Sequence, residues 1–123
     1  MNPGLGAVLV VDDDADIRDA VTMLLEDAGY PTRQARDGVD ALEQLDELPL
    51  PALILLDVMM PRMNGAEFLH ALKITESLAA IPVVVLSGDT HAVSEARALG
   101  ASGSIPKPPN ANQILDAVGR FVR

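Results

Sequence analysis

Short apolar runs alternate with amphipathic segments along the whole chain. Residues 7–11 and 52–56 are apolar throughout, and a third run covers 81–86. Apolar runs of this length, without polar alternation, are typical of strands buried on both faces of a parallel sheet. Two weaker strands are predicted at 30–35, which is short and mostly polar, and at 103–106. The pattern therefore predicts five strands.

Between these strands, apolar residues recur at the three- and four-residue spacing of amphipathic helices. Asp14 is a predicted N-cap of the first helix, and Gly29 is its predicted left-handed stop. The inward face of this helix is predicted to carry Ile17, Val21, Leu24, Leu25 and Ala28. Four further helices are predicted to begin at Asp37, at Asn64, after the segment 87–90 and at Asn110.

Five strands alternating with five helices predict an α/β fold, a doubly wound five-stranded parallel sheet with helices on both faces. We predict a flavodoxin-like sheet with strand order 2-1-3-4-5. Pro106 lacks the N–H that a central ladder needs, so the fifth strand is expected at an edge. No repeat or linker interrupts the pattern, and a single domain over residues 1–123 with no output domain is expected.

Composition and charge narrow the possible functions. The net charge is -9 and no basic run is present, which argues against direct nucleic-acid binding. The absence of cysteine excludes disulfides and thiolate metal sites. The sequence contains no apolar stretch of membrane-spanning length and no basic signal-peptide start, so a cytoplasmic protein without membrane contact is expected.

Polar side chains follow the carboxyl ends of the predicted strands. Ligands of open parallel sheets bind at these ends. The first strand is followed by Asp12 and Asp13, the third ends at Asp57, the fourth is followed by Ser87, and the fifth by Lys107. With the first and third strands adjacent, the three carboxylates share one pocket and repel one another unless a cation lies among them. Oxygen ligands of this kind suit Mg²⁺, which retains several waters and often bridges to phosphate.

Asp57 is the predicted nucleophile of this pocket. A cation, the Ser87 hydroxyl and the Lys107 ammonium around one carboxylate could neutralise a phosphoryl group placed on it. A carboxylate that accepts such a group becomes an acyl phosphate. These residues therefore predict phosphoryl transfer to Asp57.

Four fragments together resemble the response-regulator receiver domains of two-component signalling, of the single-domain chemotaxis-regulator type. They are 10–13 (VVDD), 56–61 (LDVMMP) with Gly65, 86–88 (LSG) and 107–108 (KP). Each fragment is weak alone, but all four stand in order at predicted strand ends, and the resemblance covers nearly the whole chain.

The resemblance implies a phosphoprotein of a signal-transduction pathway or phosphorelay. Asp57 would accept phosphate from the phosphohistidine of a sensor histidine kinase or phosphotransfer protein. The implied direct Mg²⁺ ligands are Asp13, Asp57 and the backbone carbonyl of Met59, with Asp12 acting through water. Ser87 and Lys107 would bind phosphoryl oxygens, and the Lys107–Pro108 peptide is expected to be cis.

The resemblance also bears on output. Phosphorylation would switch binding to a separate, unidentified downstream protein, and the chain is expected to be a monomer or a weak phosphorylation-dependent dimer. Members commonly carry an aromatic residue in the fifth strand, where this chain has Ser104. A serine cannot fill and vacate a pocket as an aromatic ring does, so output through such a ring is not expected.

Two alternative functions stay open at this point. The first is a phosphorylation-independent docking module, for which Ser104 is the only support. The second is a phosphohydrolase with an aspartyl nucleophile after the first strand and a second acid at Asp14. We favour the phosphoacceptor, which is not an enzyme beyond its own phosphorylation and dephosphorylation at Asp57.

Overall fold

Strands and helices alternate along the chain in the computed structural model, which describes residues 6–47, 49–58 and 63–122. The elements are β1 (Val8–Val11), α1 (Ala15–Asp27), β2 (Thr32–Ala35), α2 (Gly38–Gln44), β3 (Leu53–Asp57), α3 (Gly65–Lys73), β4 (Val83–Leu86), α4 (Thr90–Ala98), β5 (Gly103–Ile105) and α5 (Ala111–Phe121).

The five strands form one sheet in the order β2-β1-β3-β4-β5, and every neighbouring pair is parallel. The predicted doubly wound, flavodoxin-like fold is therefore confirmed. The short, partly polar β2 and the proline-terminated β5 lie at the two edges, as expected. The order of the chain reverses between β1 and β3, so these two strands flank the crevice where such sheets bind ligands.

Both faces of the sheet are covered, because each central strand sends alternate apolar side chains to opposite sides. Ile54 and Leu56 pack in one hydrophobic cluster, which also contains buried residues of α2, α3 and α4. Leu53 and Leu55 pack in a second cluster with buried residues of α1 and α5. The two clusters explain why β1 and β4 are apolar at every position and why β3 is apolar up to its last residue, Asp57.

Helix ends follow the predicted capping residues. The Asp14 carboxylate accepts hydrogen bonds from the N–H groups of Asp16 and Ile17, and Gly29 has a positive φ of 95°.

The prediction for the inward face of α1 was wrong at two positions. Ile17 is 37% exposed and Ala28 is exposed, and these two positions lie in the first turn and at the C-cap of α1. None of the helices in the described ranges is long and apolar enough to cross a bilayer.

Candidate functional site

The register of the sheet brings Asp12 and Asp57 side by side. Val11 of β1 pairs with Leu56 of β3, so the residues that follow each of them are neighbours at the carboxyl edge. The Asp12 N–H donates to the Ala35 carbonyl at 3.1 Å, which extends the β1–β2 ladder by one residue. Both Asp12 and Asp57 are buried, as expected for acids that emerge directly from central strands.

Asp12, Asp13 and Asp57 form an acidic cluster at this edge. One carboxylate oxygen from each lies within 4.8 Å of the others, and Asp13 is the exposed member. Three convergent carboxylates supply the oxygen ligands that Mg²⁺ prefers, and an exposed side leaves room for its waters. The donor set is therefore compatible with Mg²⁺ binding.

Burial raises the pKa of Asp12 to about 6, because the charged form loses its hydration. A hydrogen bond from the Asp14 N–H lowers the pKa, the charge of Asp57 raises it, Lys107 lowers it, and Asp13 raises it slightly. The net shift is upward, with burial as its largest cause. A divalent cation among the carboxylates would favour their charged forms.

Lys107 reaches the cluster from the far side of β4. Its Nζ lies 3.2 Å from Asp57 Oδ1, and its side chain is 29% exposed. The Lys107–Pro108 peptide bond is cis, as the resemblance implies. The predicted pairing of a carboxylate with an ammonium group at the ends of β3 and β5 is thus present in the geometry.

Ser87 is buried at the end of β4, and its hydroxyl is engaged with the loop that follows. Its Oγ accepts a hydrogen bond from the Asp89 N–H at 3.0 Å, and its hydroxyl points to the Asp89 carbonyl at 3.5 Å. The Asp89 carboxylate in turn caps α4 by accepting from the N–H groups of His91 and Ala92. Ser87 is therefore linked to the start of α4.

Ser104 lies beside a cavity of about 480 Å³ between α4 and β5. The cavity is also lined by Val93, Arg97 and the site residues Ser87 and Lys107. Arg97 Nη2 donates to the Ser104 hydroxyl at 3.4 Å, a long contact. Ser104 is the residue of β5 that borders this space. The expectation that output does not use an aromatic ring here stays a prediction.

Met59, whose carbonyl was an expected metal ligand, lies outside the described residues. The segments flanking it are joined by a hydrogen bond from the Gly65 N–H to the Val58 carbonyl at 3.0 Å. A Cβ at Gly65 would stand 2.7 Å from Val58 Cα, so a side chain cannot be accommodated without a backbone shift. Gly65 is therefore required by the close approach of α3 to the end of β3.

The phosphohydrolase alternative finds no support in the position of Asp14. That reaction needs Asp14 to act beside Asp12, but the exposed Asp14 carboxylate caps α1 and is not part of the acidic cluster.

Arg18 is a site neighbour that the sequence reasoning missed. Its guanidinium donates to the Asp12 carbonyl at 2.7 Å. One signal was available, since Arg18 is the only basic residue in the segment 12–27, which has seven acidic residues.

The fold and the acidic pocket together define a flavodoxin-like domain with its candidate site at the carboxyl edge of a parallel sheet. The sequence matches the family described as "Response regulator receiver domain" over residues 8–119. This chain belongs to that family, and it is a receiver domain of a two-component response regulator. Receiver domains are generally phosphoacceptors rather than classical enzymes, and they bind Mg²⁺ in an acidic pocket.

Relatives and solved structures agree with this assignment. Sporulation initiation phosphotransferase F of Bacillus subtilis is 31% identical over 115 residues, which cover 94% of this chain and 92% of that protein. The phosphate regulon regulator PhoB of Escherichia coli is 36% identical over 118 residues, covering 94% of this chain and 51% of PhoB. The chain thus spans about half the length of PhoB and of the CpxR homologue of Haemophilus influenzae. The structure of Vibrio cholerae chemotaxis protein CheY4 superposes with a TM-score of 0.87 at 34% identity, covering 95% of this chain and 98% of CheY4.

Proposed function

We propose that Asp57 accepts a phosphoryl group from a phosphohistidine donor, a sensor kinase or phosphotransfer protein, and that the acyl phosphate switches binding to a downstream protein. In this proposal residues 1–123 act as one receiver domain in the cytoplasm. The observation that carries it is the position of the buried Asp57. Asp12 and Asp13 lie beside it in one cluster, and the Lys107 ammonium lies 3.2 Å away.

The transfer exchanges one phosphorus bond for another. An Asp57 carboxylate oxygen forms the new O–P bond while the N–P bond to the donor histidine breaks, and the histidine nitrogen leaves with the bonding pair. Lys107 and Ser87 donate to the phosphoryl oxygens and so stabilise their growing charge. Mg²⁺, held by Asp12, Asp13, Asp57 and the Met59 carbonyl, would neutralise the remaining charge when bound.

Ser87 couples this chemistry to α4. To donate to a phosphoryl oxygen, the Ser87 hydroxyl has to turn its proton away from the Asp89 carbonyl, which lies 3.5 Å from Oγ. Because Asp89 caps α4, that change is passed to the first turn of the helix. We propose that the face formed by α4 and β5 is altered in this way and presents the output.

Mass spectrometry of the intact wild-type protein tests the proposal directly. After incubation with acetyl phosphate and Mg²⁺, we expect one added phosphoryl group, and none when EDTA replaces Mg²⁺. Borohydride reduces an acyl phosphate to an alcohol, so peptide mapping should find homoserine in place of Asp57. An adduct on any other residue would refute Asp57 as the acceptor, and failure to form a beryllofluoride complex as well would favour a docking module.

A shallow apolar groove beside Lys107 suits the donor. This groove, of about 500 Å³, lies between α1 and the start of α5, and its lining includes Ile17, Leu24, Lys107 and Pro108. Lys107 connects it to Asp57. The exposed carboxylates of Asp16 and Asp19 flank Ile17 along α1. We therefore propose that the donor presents an apolar helix surface bordered by basic side chains.

Replacing Ile17 with serine is expected to slow phosphotransfer from an autophosphorylated histidine kinase by about tenfold, equivalent to about 1.4 kcal/mol of lost contact. Uptake from acetyl phosphate should not change, since a small donor does not need the groove. Met23→Ser is the matched control, because Met23 is 63% exposed on the same helix but does not line the groove. Equal slowing with both donors would show that Ile17 acts on the chemistry and not on docking.

A further inference from the structure

The side chain of Arg18 links helix α1 to the turn after β1 and to the edge strand β2. It lies in the second turn of α1 and extends back past the start of that helix. Its Nη1 donates to the Asp12 carbonyl at 2.7 Å, and its Nε donates to Gln34 Oε1 at 2.9 Å. A guanidinium group presents these two donors in fixed directions, which an ammonium group cannot reproduce.

Asp12 is consequently held at three points. Its N–H donates to the Ala35 carbonyl, its own carbonyl accepts from Arg18, and its Oδ1 accepts from the Asp14 N–H at 2.9 Å. Within the described residues, Oδ2 is the atom of Asp12 that these bonds leave available to a cation. Since Asp13 follows directly, the same bonds fix the start of the turn that carries both acids.

The anchor of Arg18 is itself braced. Gln34 lies on the edge strand β2, and its carbonyl accepts a hydrogen bond from the Gln44 side chain of α2. A continuous chain of hydrogen bonds therefore links the turn after β1 through Arg18 and Gln34 to α2. Charge repulsion among Asp12, Asp13 and Asp57 favours spreading of that turn, and this chain of bonds opposes it.

We propose that Arg18 is a positioning residue that holds the turn of Asp12 and Asp13 so that their carboxylates converge with Asp57 on a divalent cation. This inference rests on the proposed function, because it assumes that the cluster binds such an ion. The positive charge of Arg18 acts in the opposite direction, since a nearby cation disfavours Mg²⁺. Replacement of Arg18 should therefore weaken divalent-cation binding if Arg18 positions the acids. It should strengthen binding if only the charge of Arg18 matters.

Titration with Mn²⁺, followed by electron paramagnetic resonance of the free ion, separates the two effects. We expect Arg18→Met and Arg18→Lys both to weaken Mn²⁺ binding by about tenfold, as is common for groups that orient metal ligands. Gln34→Met, which retains Arg18 and its charge, should weaken binding severalfold. Arg36→Met is the control, because Arg36 is an exposed base just after β2. Circular dichroism of each metal-free variant establishes that it is folded before titration.

The Mn²⁺ affinities of these variants decide whether Arg18 has the proposed positioning role. Tighter binding by Arg18→Met, or wild-type affinity in both Arg18→Lys and Gln34→Met, would overturn the positioning role while leaving the proposed function intact. Failure of the wild-type protein to bind Mn²⁺ would overturn both. Weakening by Arg18→Lys and Gln34→Met without weakening by Arg36→Met would establish the role, because a loss of charge alone does not produce that pattern.

Discussion

Substitution of Asp57 by asparagine is expected to abolish phosphoryl uptake from acetyl phosphate, because an amide is not a nucleophile that can form the acyl phosphate. The substitution also removes one of three clustered carboxylates. We expect Mg²⁺ binding to weaken by roughly tenfold, a loss of about 1.4 kcal/mol. Intact-mass spectrometry measures the uptake, and isothermal titration calorimetry measures Mg²⁺ affinity.

Asp14→Asn provides the matched control for this change. Asp14 is two residues from Asp12 but caps α1 and is not part of the acidic cluster. Asparagine is as good an N-cap as aspartate, so the helix keeps its first hydrogen bonds. This variant should take up one phosphoryl group as the wild type does. Uptake by Asp57→Asn would mean that another carboxylate is the acceptor.

The second large effect is a dependence of stability on pH in the absence of metal. Because the pKa of Asp12 is raised from 3.8 to about 6, the folded protein binds the Asp12 proton more tightly than the unfolded chain does. Stability from this group is present below about pH 4 and is lost as the pH rises through about 6. The loss is on the order of 2–3 kcal/mol, since one pKa unit corresponds to about 1.4 kcal/mol.

Urea unfolding in EDTA between pH 4 and pH 8 measures this loss when wild type is compared with Asp12→Asn. Asparagine resembles the protonated acid and can still accept from the Asp14 N–H, so the variant should match wild type at pH 4 and be about 2–3 kcal/mol more stable at pH 7. Asp19→Asn, an exposed acid of α1, should follow the wild-type curve. Parallel curves for wild type and Asp12→Asn would contradict the prediction.

At neutral pH, Mg²⁺ should offset the loss of folding stability that ionisation of Asp12 causes. An ion that binds the folded protein but not the unfolded chain stabilises the fold by an amount set by its concentration relative to the dissociation constant. At pH 7 Mg²⁺ meets an ionised Asp12, whereas at pH 4 it competes with a proton for the same carboxylate. Wild type should therefore gain more stability from Mg²⁺ at pH 7 than at pH 4, and Asp12→Asn should gain less than wild type at pH 7.

Most of the fold could be predicted because its signals are local. Apolar runs such as 52–56 are long enough for a strand and too short for a typical helix, and Asp14, Asn64 and Asn110 cap helices where expected. The exact ends of strands and helices were less predictable, because they depend on hydrogen bonds to other parts of the structure. The segment 30–35 was predicted as a strand, but β2 begins at Thr32, since the Tyr30 N–H bonds back to the Leu25 carbonyl and closes α1.

The candidate site was predictable to the extent that it lies at strand ends. Asp12, Asp13, Asp57 and Lys107 do come together, because parallel strands deliver their carboxyl ends to one edge. The direction of the Ser87 hydroxyl was not predictable, since it depends on the conformation of the loop to Asp89. The exposure of Ile17 was also missed, because periodicity marks an apolar face without showing whether a neighbour covers it.

The sequence by itself determined the class of fold, the chemical groups at the strand ends and the family. Apolar runs, capping residues and the order of the motifs depend on residues that are close together along the chain. Only the tertiary structure decided how far apart those groups lie and what holds them. Arg18 is the clearest case. Its partners are the Asp12 carbonyl and the side chain of Gln34, sixteen residues away on β2. Contacts of that kind depend on how α1 packs beside the sheet, which no local pattern specifies.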